Sequence, residues 1–186
     1  MKSLARVLSL SFLVFVAACG QYTLVKPGKV KVGDLSVQSS MAWSQLSSGD
    51  AYIWTVDGQF LHEIYFVTDL EDNEPLLIGR GEDNQPKFKS GMTSIEIADL
   101  FKNSLASKSV RDFEIKNLRP ATFAATEGFR FEFDYRTSDG VDKTGIAIGG
   151  VRNKKLSLIF YHGTRLHYFD RYKDEVEAII ASAKFS

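Results

Sequence analysis

The sequence predicts an α+β domain, an antiparallel β-sheet packed against two helices at about 93–107 and 165–183. Three observations carry this. Turn dipeptides Asp57-Gly58, Asp139-Gly140 and Asn153-Lys154 each sit between apolar stretches of strand length, the pattern of consecutive hairpins. Phe129, Phe131, Phe133 and Tyr135 alternate with Arg130, Glu132, Asp134 and Arg136, a period of two that buries one face of a strand. Two segments instead repeat their apolar residues at helical spacing. Parallel neighbours would need long crossovers, so hairpins imply antiparallel pairing.

The elements follow in order. Residues 30–38 hold two β-prone pieces around Gly33-Asp34, a bend or hairpin. Trp43 precedes a strand at 51–56, and Asp57-Gly58 turns it into a returning strand at 59–68, QFLHEIYFVT. Residues 69–91 are rich in Asp, Glu, Asn, Gly and Pro and form a long connection with one apolar piece at 76–78. Thr93 and Glu96 have capping-box spacing, and Ile97, Phe101 and Leu105 fall on one stripe of the first helix. Strands are expected at 113–118, 129–136, 143–152 and 155–162. The second helix carries Phe169, Tyr172, Val176, Ile179, Ile180 and Ala183 on its apolar face, and the helices must bury these stripes against the sheet.

The N-terminal stretch is of a different kind. Residues 1–6 carry Lys2 and Arg6 and no acid, residues 7–16 read VLSLSFLVFV, and Ala17, Ala18 and Cys19 follow. A basic head, a short apolar run and a small-residue site make a secretory signal. The run falls short of the ~20 apolar residues of a membrane span. The tetrapeptide Val16-Ala17-Ala18-Cys19 resembles the lipobox of bacterial lipoproteins. That resemblance implies a diacylglycerol on the Cys19 thiol, cleavage before Cys19 and acylation of the new amine. Gly20 stands where an Asp usually retains such proteins at the inner membrane, which implies transfer to the outer membrane, facing the periplasm. The expected organisation is a signal peptide at 1–18, a lipidated tether at 19–29 containing Pro27 and Gly28, and one globular domain at 30–186.

Composition narrows the function classes. Of 186 residues, 44% are hydrophobic and 25% charged, ordinary for a folded domain. Loss of Lys2 and Arg6 from 23 basic side chains leaves 21 against 23 acidic ones, a net charge of −2. No basic field is present for a phosphate backbone, which argues against nucleic acid as a partner. Cys19 is the single cysteine, so neither an internal disulfide nor a Cys–His pair is open to the mature chain.

Candidate chemistry is sparse. His162 and His167 flank a strand-to-helix turn containing Gly163 and could meet at a metal, but no HxxxH or HExxH occurs, and with His62 they are read as surface or hydrogen-bonded histidines. No serine lies in a GxSxG setting. The glycines of 145–150, GIAIGG, fall inside an expected antiparallel strand and not in a phosphate loop; Gly149 and Gly150 mark a bulge or a close backbone approach. Asp69, Glu71, Asp72 and Glu74 lack calcium-loop spacing and read as a solvated loop. Trp43, Tyr52 and Trp54 could line a groove but at strand spacing read as core. No catalytic, metal or cofactor residue is assigned, and Cys19 is the one site. The reading is a non-enzymatic envelope lipoprotein that binds a protein partner or helps to assemble or maintain a membrane complex. The alternatives are a small-ligand carrier with a pocket between sheet and helices, and a hydrolase whose residues converge only in the fold. The element order is also similar to the α+β sandwich of the PsbP-like proteins, which implies a fold and not an activity.

Overall fold

A computed structural model describes residues 22–48, 51–77, 85–106 and 110–186. Cys19 and the 1–18 segment lie outside these residues, as do residues 78–84 of the long connection.

Among the described residues, two sheets and two helices form the domain. The main sheet has eight strands: β1 (Thr23–Val25), β4 (Trp43–Ser48), β5 (Ala51–Thr55), β6 (His62–Leu70), β10 (Lys155–Thr164), β9 (Asp142–Arg152), β8 (Thr126–Arg136) and β7 (Arg111–Phe123), in that spatial order. Every neighbouring pair is antiparallel. Helix α1 (Ser94–Ala106) covers one face, burying Ile97, Leu100, Phe101 and Leu105 against Phe131, Phe133 and Phe160. Helix α2 (Tyr168–Ser182) covers the other face with Phe169, Tyr172, Val176 and Ile179. Beside α2 lies a three-stranded sheet of β2 (Gly28–Val32), β3 (Leu35–Ser39) and β11 (Lys184–Phe185). The domain is thus layered, with the main sheet between two cores. Strand β10 contributes Ile159 and Tyr161 to one core and Leu156, Leu158 and Phe160 to the other, so its sequence is an apolar run and not an alternation.

The α+β class, the antiparallel pairing and both helices follow the sequence expectation. The capping box forms: Thr93 N–H donates to Glu96 at 2.7 Å, and Glu96 N–H donates back to Thr93 Oγ1 at 3.3 Å. Asn153 and Lys154, at φ 52° and 67°, make the tight β9–β10 turn. The glycines of β9 mark close approach. A Cβ on Gly149 would lie 2.6 Å from Ser157 O, and one on Gly145 would lie 2.3 Å from the Phe133 ring.

Several expectations are corrected. The tether does not run to residue 29, because Thr23–Val25 pairs with β4 and Gly28 pairs with Ser39. Three residues added to a sheet edge are too few to show a periodicity. The second helix begins at Tyr168 and not at 165: Thr164 still belongs to β10, and His167 at φ 79° breaks the run. Strand β7 is twice the expected 113–118. It absorbs two irregularities at Asp112 and Asn117, both at positive φ, and tolerates Pro120 because it is an edge strand. It turns into β8 through Ala124 and Ala125 at φ 47° and 67°, a left-handed pair without the Asn or Gly that announces such turns. The separate three-stranded sheet was not expected.

Candidate functional site

Antiparallel register brings three connections to one end of the main sheet: 56–61 between β5 and β6, 137–141 between β8 and β9, and 165–167 between β10 and α2. Backbone bonds lace them together. Thr164 N–H donates to Leu61 O at 2.8 Å, and Arg165 N–H donates to Asp142 O at 3.0 Å. Lys143, 4% exposed, lies beneath and donates from Nζ to Phe60 O at 2.5 Å and Leu61 O at 3.3 Å. From the other face the Tyr172 hydroxyl donates to Asp57 Oδ2 at 2.5 Å. Burial, then this bond, pushes Tyr172 up to about 12.

Under these loops is a buried polar cluster. His162 on β10, Glu63 on β6 and Tyr135 on β8 are each less than a tenth exposed. His162 Nε2 lies 3.1 Å from Glu63 Oε1, and the Tyr135 hydroxyl lies 3.0 Å from His162 Nδ1. A carboxylate only accepts, so the Nε2 facing Glu63 carries a proton, and Nδ1 pairs with the Tyr135 hydroxyl. Glu63 also receives Gln59 Nε2 at 3.3 Å and bonds to the Tyr65 hydroxyl. Burial, followed by the Glu63 charge, raises both Tyr65 and Tyr135 well above the ordinary phenol range. Burial lowers Lys143, with Glu63 opposing. Glu63, Tyr135, Lys143 and His162 line a cavity of about 190 Å3 together with Gln59, Phe60 and Val141.

A histidine held by a carboxylate is the arrangement of a general base. Here both ring nitrogens are engaged within the chain, and Lys143 is engaged with two carbonyls. The cluster ties β6, β8, β9 and β10 to the 56–61 loop. Above it, Phe60 is 94% exposed and Leu166 is 87% exposed.

His62 belongs to the other core, wholly buried and stacked on Tyr172 with centroids 4.2 Å apart. Its Nε2 accepts from Val56 N–H at 3.3 Å and Asp57 N–H at 3.2 Å, while Nδ1 is buried without a partner. Burial lowers its pKa to about 4, against a raising effect from Asp57. Unfolded histidine titrates near 6.5, so between pH 6.5 and 4 the unfolded chain gains a proton that the folded one refuses. Stability is therefore expected to be full above pH 6.5 and to fall by about 3 kcal/mol as the pH drops to 4. Urea titrations at pH 7 and pH 4.5 check this. The part of the fall due to His62 should be missing from His62→Gln.

The other sequence candidates do not converge. His162 has no nitrogen free to share an ion with His167, which is exposed and lies against the Tyr168 ring. Among the described residues no three His, Cys, Asp or Glu side chains form a metal-holding group. The acidic loop residues are used separately: Glu71 pairs with Lys155 at 2.7 Å, Asp72 accepts from Ser90 N–H at 2.7 Å, and Glu74 accepts from Glu71 N–H at 2.8 Å. Trp43 and Trp54 are core, as expected. Tyr52 lines a cavity of about 620 Å3 at the β2–β3 turn with Val67, Leu70, Leu76 and the acids Asp34 and Asp69. No residue of α1 or α2 lines it, which departs from a carrier pocket between sheet and helices. The cleft that does lie between the sheet and α2, about 320 Å3, is lined by charges that pair with one another, Arg130 with Glu177 and Lys116 with Asp134.

Sequence reasoning missed Tyr135, Lys143 and Glu63 as a group. The signal was present, since Glu63 is a charge inside the apolar run LHEIYFV. What could not be read was which strand faces it, because β6 pairs with β10 across 97 residues of sequence at Ile64↔Tyr161 and at neighbouring positions.

No protein-family model and no curated protein matches the chain. Solved structures do. The solution structure of cyanobacterial PsbP (CyanoP) from Synechocystis sp. PCC 6803 superposes with a TM-score of 0.52 at 12% identity, covering 91% of this chain and 95% of that one. The domain therefore has a PsbP-like fold. The crystal structure of LpqN, involved in cell envelope biogenesis of Mycobacterium tuberculosis, superposes with a TM-score of 0.39 at 10% identity, covering 91% and 87%. At that score the likeness carries no argument for this chain.

Proposed function

We propose that the chain is a lipid-anchored, non-enzymatic module of the bacterial envelope, acylated on Cys19, held at the periplasmic face of the outer membrane and acting by binding an envelope protein. The observation that carries the non-enzymatic part is the closure of the polar cluster. His162, Glu63 and Lys143 spend their hydrogen bonds on one another's strands and on the 56–61 loop, and the cavity over them, about 190 Å3, is below the size of ordinary ligand sites. The cluster is then a brace and not a reaction centre. The sequence Val16-Ala17-Ala18-Cys19 supports the anchor, and Gly20 supports the outer membrane.

Crosslinking in intact cells, followed by purification from solubilised envelope, tests the binding reading. A stable envelope partner is expected with the wild-type chain and equally with His162→Gln. Recovery of no partner, together with unchanged envelope properties in cells lacking the chain, contradicts it. A second reading, a small-ligand carrier, has the 620 Å3 cavity in its favour. Native mass spectrometry of the chain released gently from cells tests that reading: a bound small molecule supports it, and a ligand-free mass removes it.

A further inference from the structure

We propose that the loop end carrying Phe60, Val141 and Leu166 rests on the lipid surface that holds the Cys19 acyl chains, so that the domain is oriented on the bilayer and not merely tethered to it. This rests on the reading of Cys19 as acylated.

The first support is where the apolar exposure lies. Single exposed apolar residues are ordinary, but contiguous ones mark a contact surface. Seven large apolar side chains are exposed among the described residues: four are on the converging loops, Phe60, Leu166, Val141 and Val56, and two more are Tyr22, just before β1, and Leu24 on it. The seventh, Ile95, is at the start of α1, at the opposite end of the strands. Phe60, Leu166 and Val141 come from three separate connections, joined beneath by the Lys143, Leu61 and Asp142 bonds.

The second support is the place of the anchor. The Tyr22 hydroxyl donates to Gln59 Oε1 at 3.5 Å, next in sequence to Phe60. Two residues separate Tyr22 from Cys19, and the three chain steps between them span at most about 11 Å. An acylated Cys19 thus keeps the membrane within about 11 Å of Tyr22, whose side chain reaches the rim at Gln59 while β1 itself runs toward the rim from Thr23 to Val25. At that separation the effective concentration of lipid exceeds that of any diffusing protein, so the apolar rim meets lipid first.

The third support is rigidity. The 56–61 loop is held by Lys143 from below and by Tyr172 through Asp57 from the side. Presenting Phe60 therefore needs little further ordering on contact. A lipid surface also asks for no shape complement, which suits separate side chains projecting from three loops.

The test uses the full acylated protein, purified from membranes in detergent and reconstituted into vesicles of phosphatidylethanolamine and phosphatidylglycerol with brominated acyl chains. Phe60→Trp and Leu166→Trp alter exposed positions and leave both cores intact. Each is expected to lose most of its added emission to the brominated chains, relative to the background of the buried Trp43 and Trp54, while Ile95→Trp keeps its emission. Unquenched Phe60→Trp and Leu166→Trp on acylated protein overturns the proposal, as does equal quenching at Ile95→Trp. Shielding of the rim by a co-purifying protein overturns it in favour of a protein contact. The intact mass of the same sample separates the two readings: an unmodified Cys19 removes the anchor and the docking with it, whereas an acylated Cys19 with unquenched tryptophans removes the docking alone.

Discussion

Phe101→Ala is expected to destabilise the domain by about 3–5 kcal/mol, the range for emptying a buried phenylalanine site, with a fall in Tm on the order of 10 °C. Phe101 is fully buried and is the centre of the aromatic cluster under α1. The rings of Phe131, Phe133 and Phe160 meet it at 5.2, 4.9 and 5.0 Å, all edge to face, and Phe113 meets it at 6.1 Å. These partners come from β7, β8 and β10, so three strands lose packing at once. Phe133 packs directly on Gly145, which limits how far its ring can shift into the emptied space. Lys102→Ala, on the exposed face of the same helix, is the control and should fall within about 0.5 kcal/mol of wild type. Chemical denaturation of the two variants checks both values. A Phe101→Ala cost near that of Lys102→Ala would mean that α1 is not docked on this sheet face.

Glu63→Ala is expected to cost about 3–5 kcal/mol, the range for removing one partner of a buried charge pair, because the Lys143 ammonium loses the negative charge that offsets its burial. The side chain does more than pair with His162 at 3.1 Å. It is the negative charge that opposes burial of Lys143, and it is the partner of Gln59 and Tyr65. Its loss leaves the His162 Nε2 proton buried without an acceptor, a cost of about 1–3 kcal/mol by itself. Glu63→Gln retains an acceptor of the same shape and should recover part of the loss. Hydrogen exchange supplies a local readout: in Glu63→Ala the 56–61 loop amides are expected to exchange faster, since the brace beneath Phe60 and Leu61 is weakened. Unchanged exchange there would mean that the cluster does not hold the loop.

How far the sequence reaches depends on where each signal is stored. Phe129, Phe131, Phe133 and Tyr135 announce a half-buried strand by themselves, and the structure places all four in the core under α1. Thr93 and Glu96 announce the start of α1, because both halves of the cap lie within four residues. By contrast, the turn at Ala124-Ala125 has no chemical signature; its left-handed backbone is imposed by the long β7–β8 pairing on either side. β11 is two residues long and exists because Ser186 N–H and Phe185 find Asp34 O and Leu35 on a hairpin 150 residues earlier. The same holds for the site. The proposed lipidation of Cys19 rests on a pattern that is wholly local, whereas Tyr135, Lys143, Glu63 and His162 lie on four strands whose order, β6-β10-β9-β8, is a property of the fold. Likewise, the exposure of Phe60 and Leu166 contradicts their composition and emerges only once the loops are placed.

The intact mass of the chain purified from cell membranes tests the central claim, attachment through Cys19, most directly. The expected mass is that of a chain beginning at Cys19 and carrying a diacylglyceryl group and an amide-linked acyl chain, with Cys19→Ser leaving the membrane fraction. A membrane-free chain with an unmodified Cys19 thiol would contradict it.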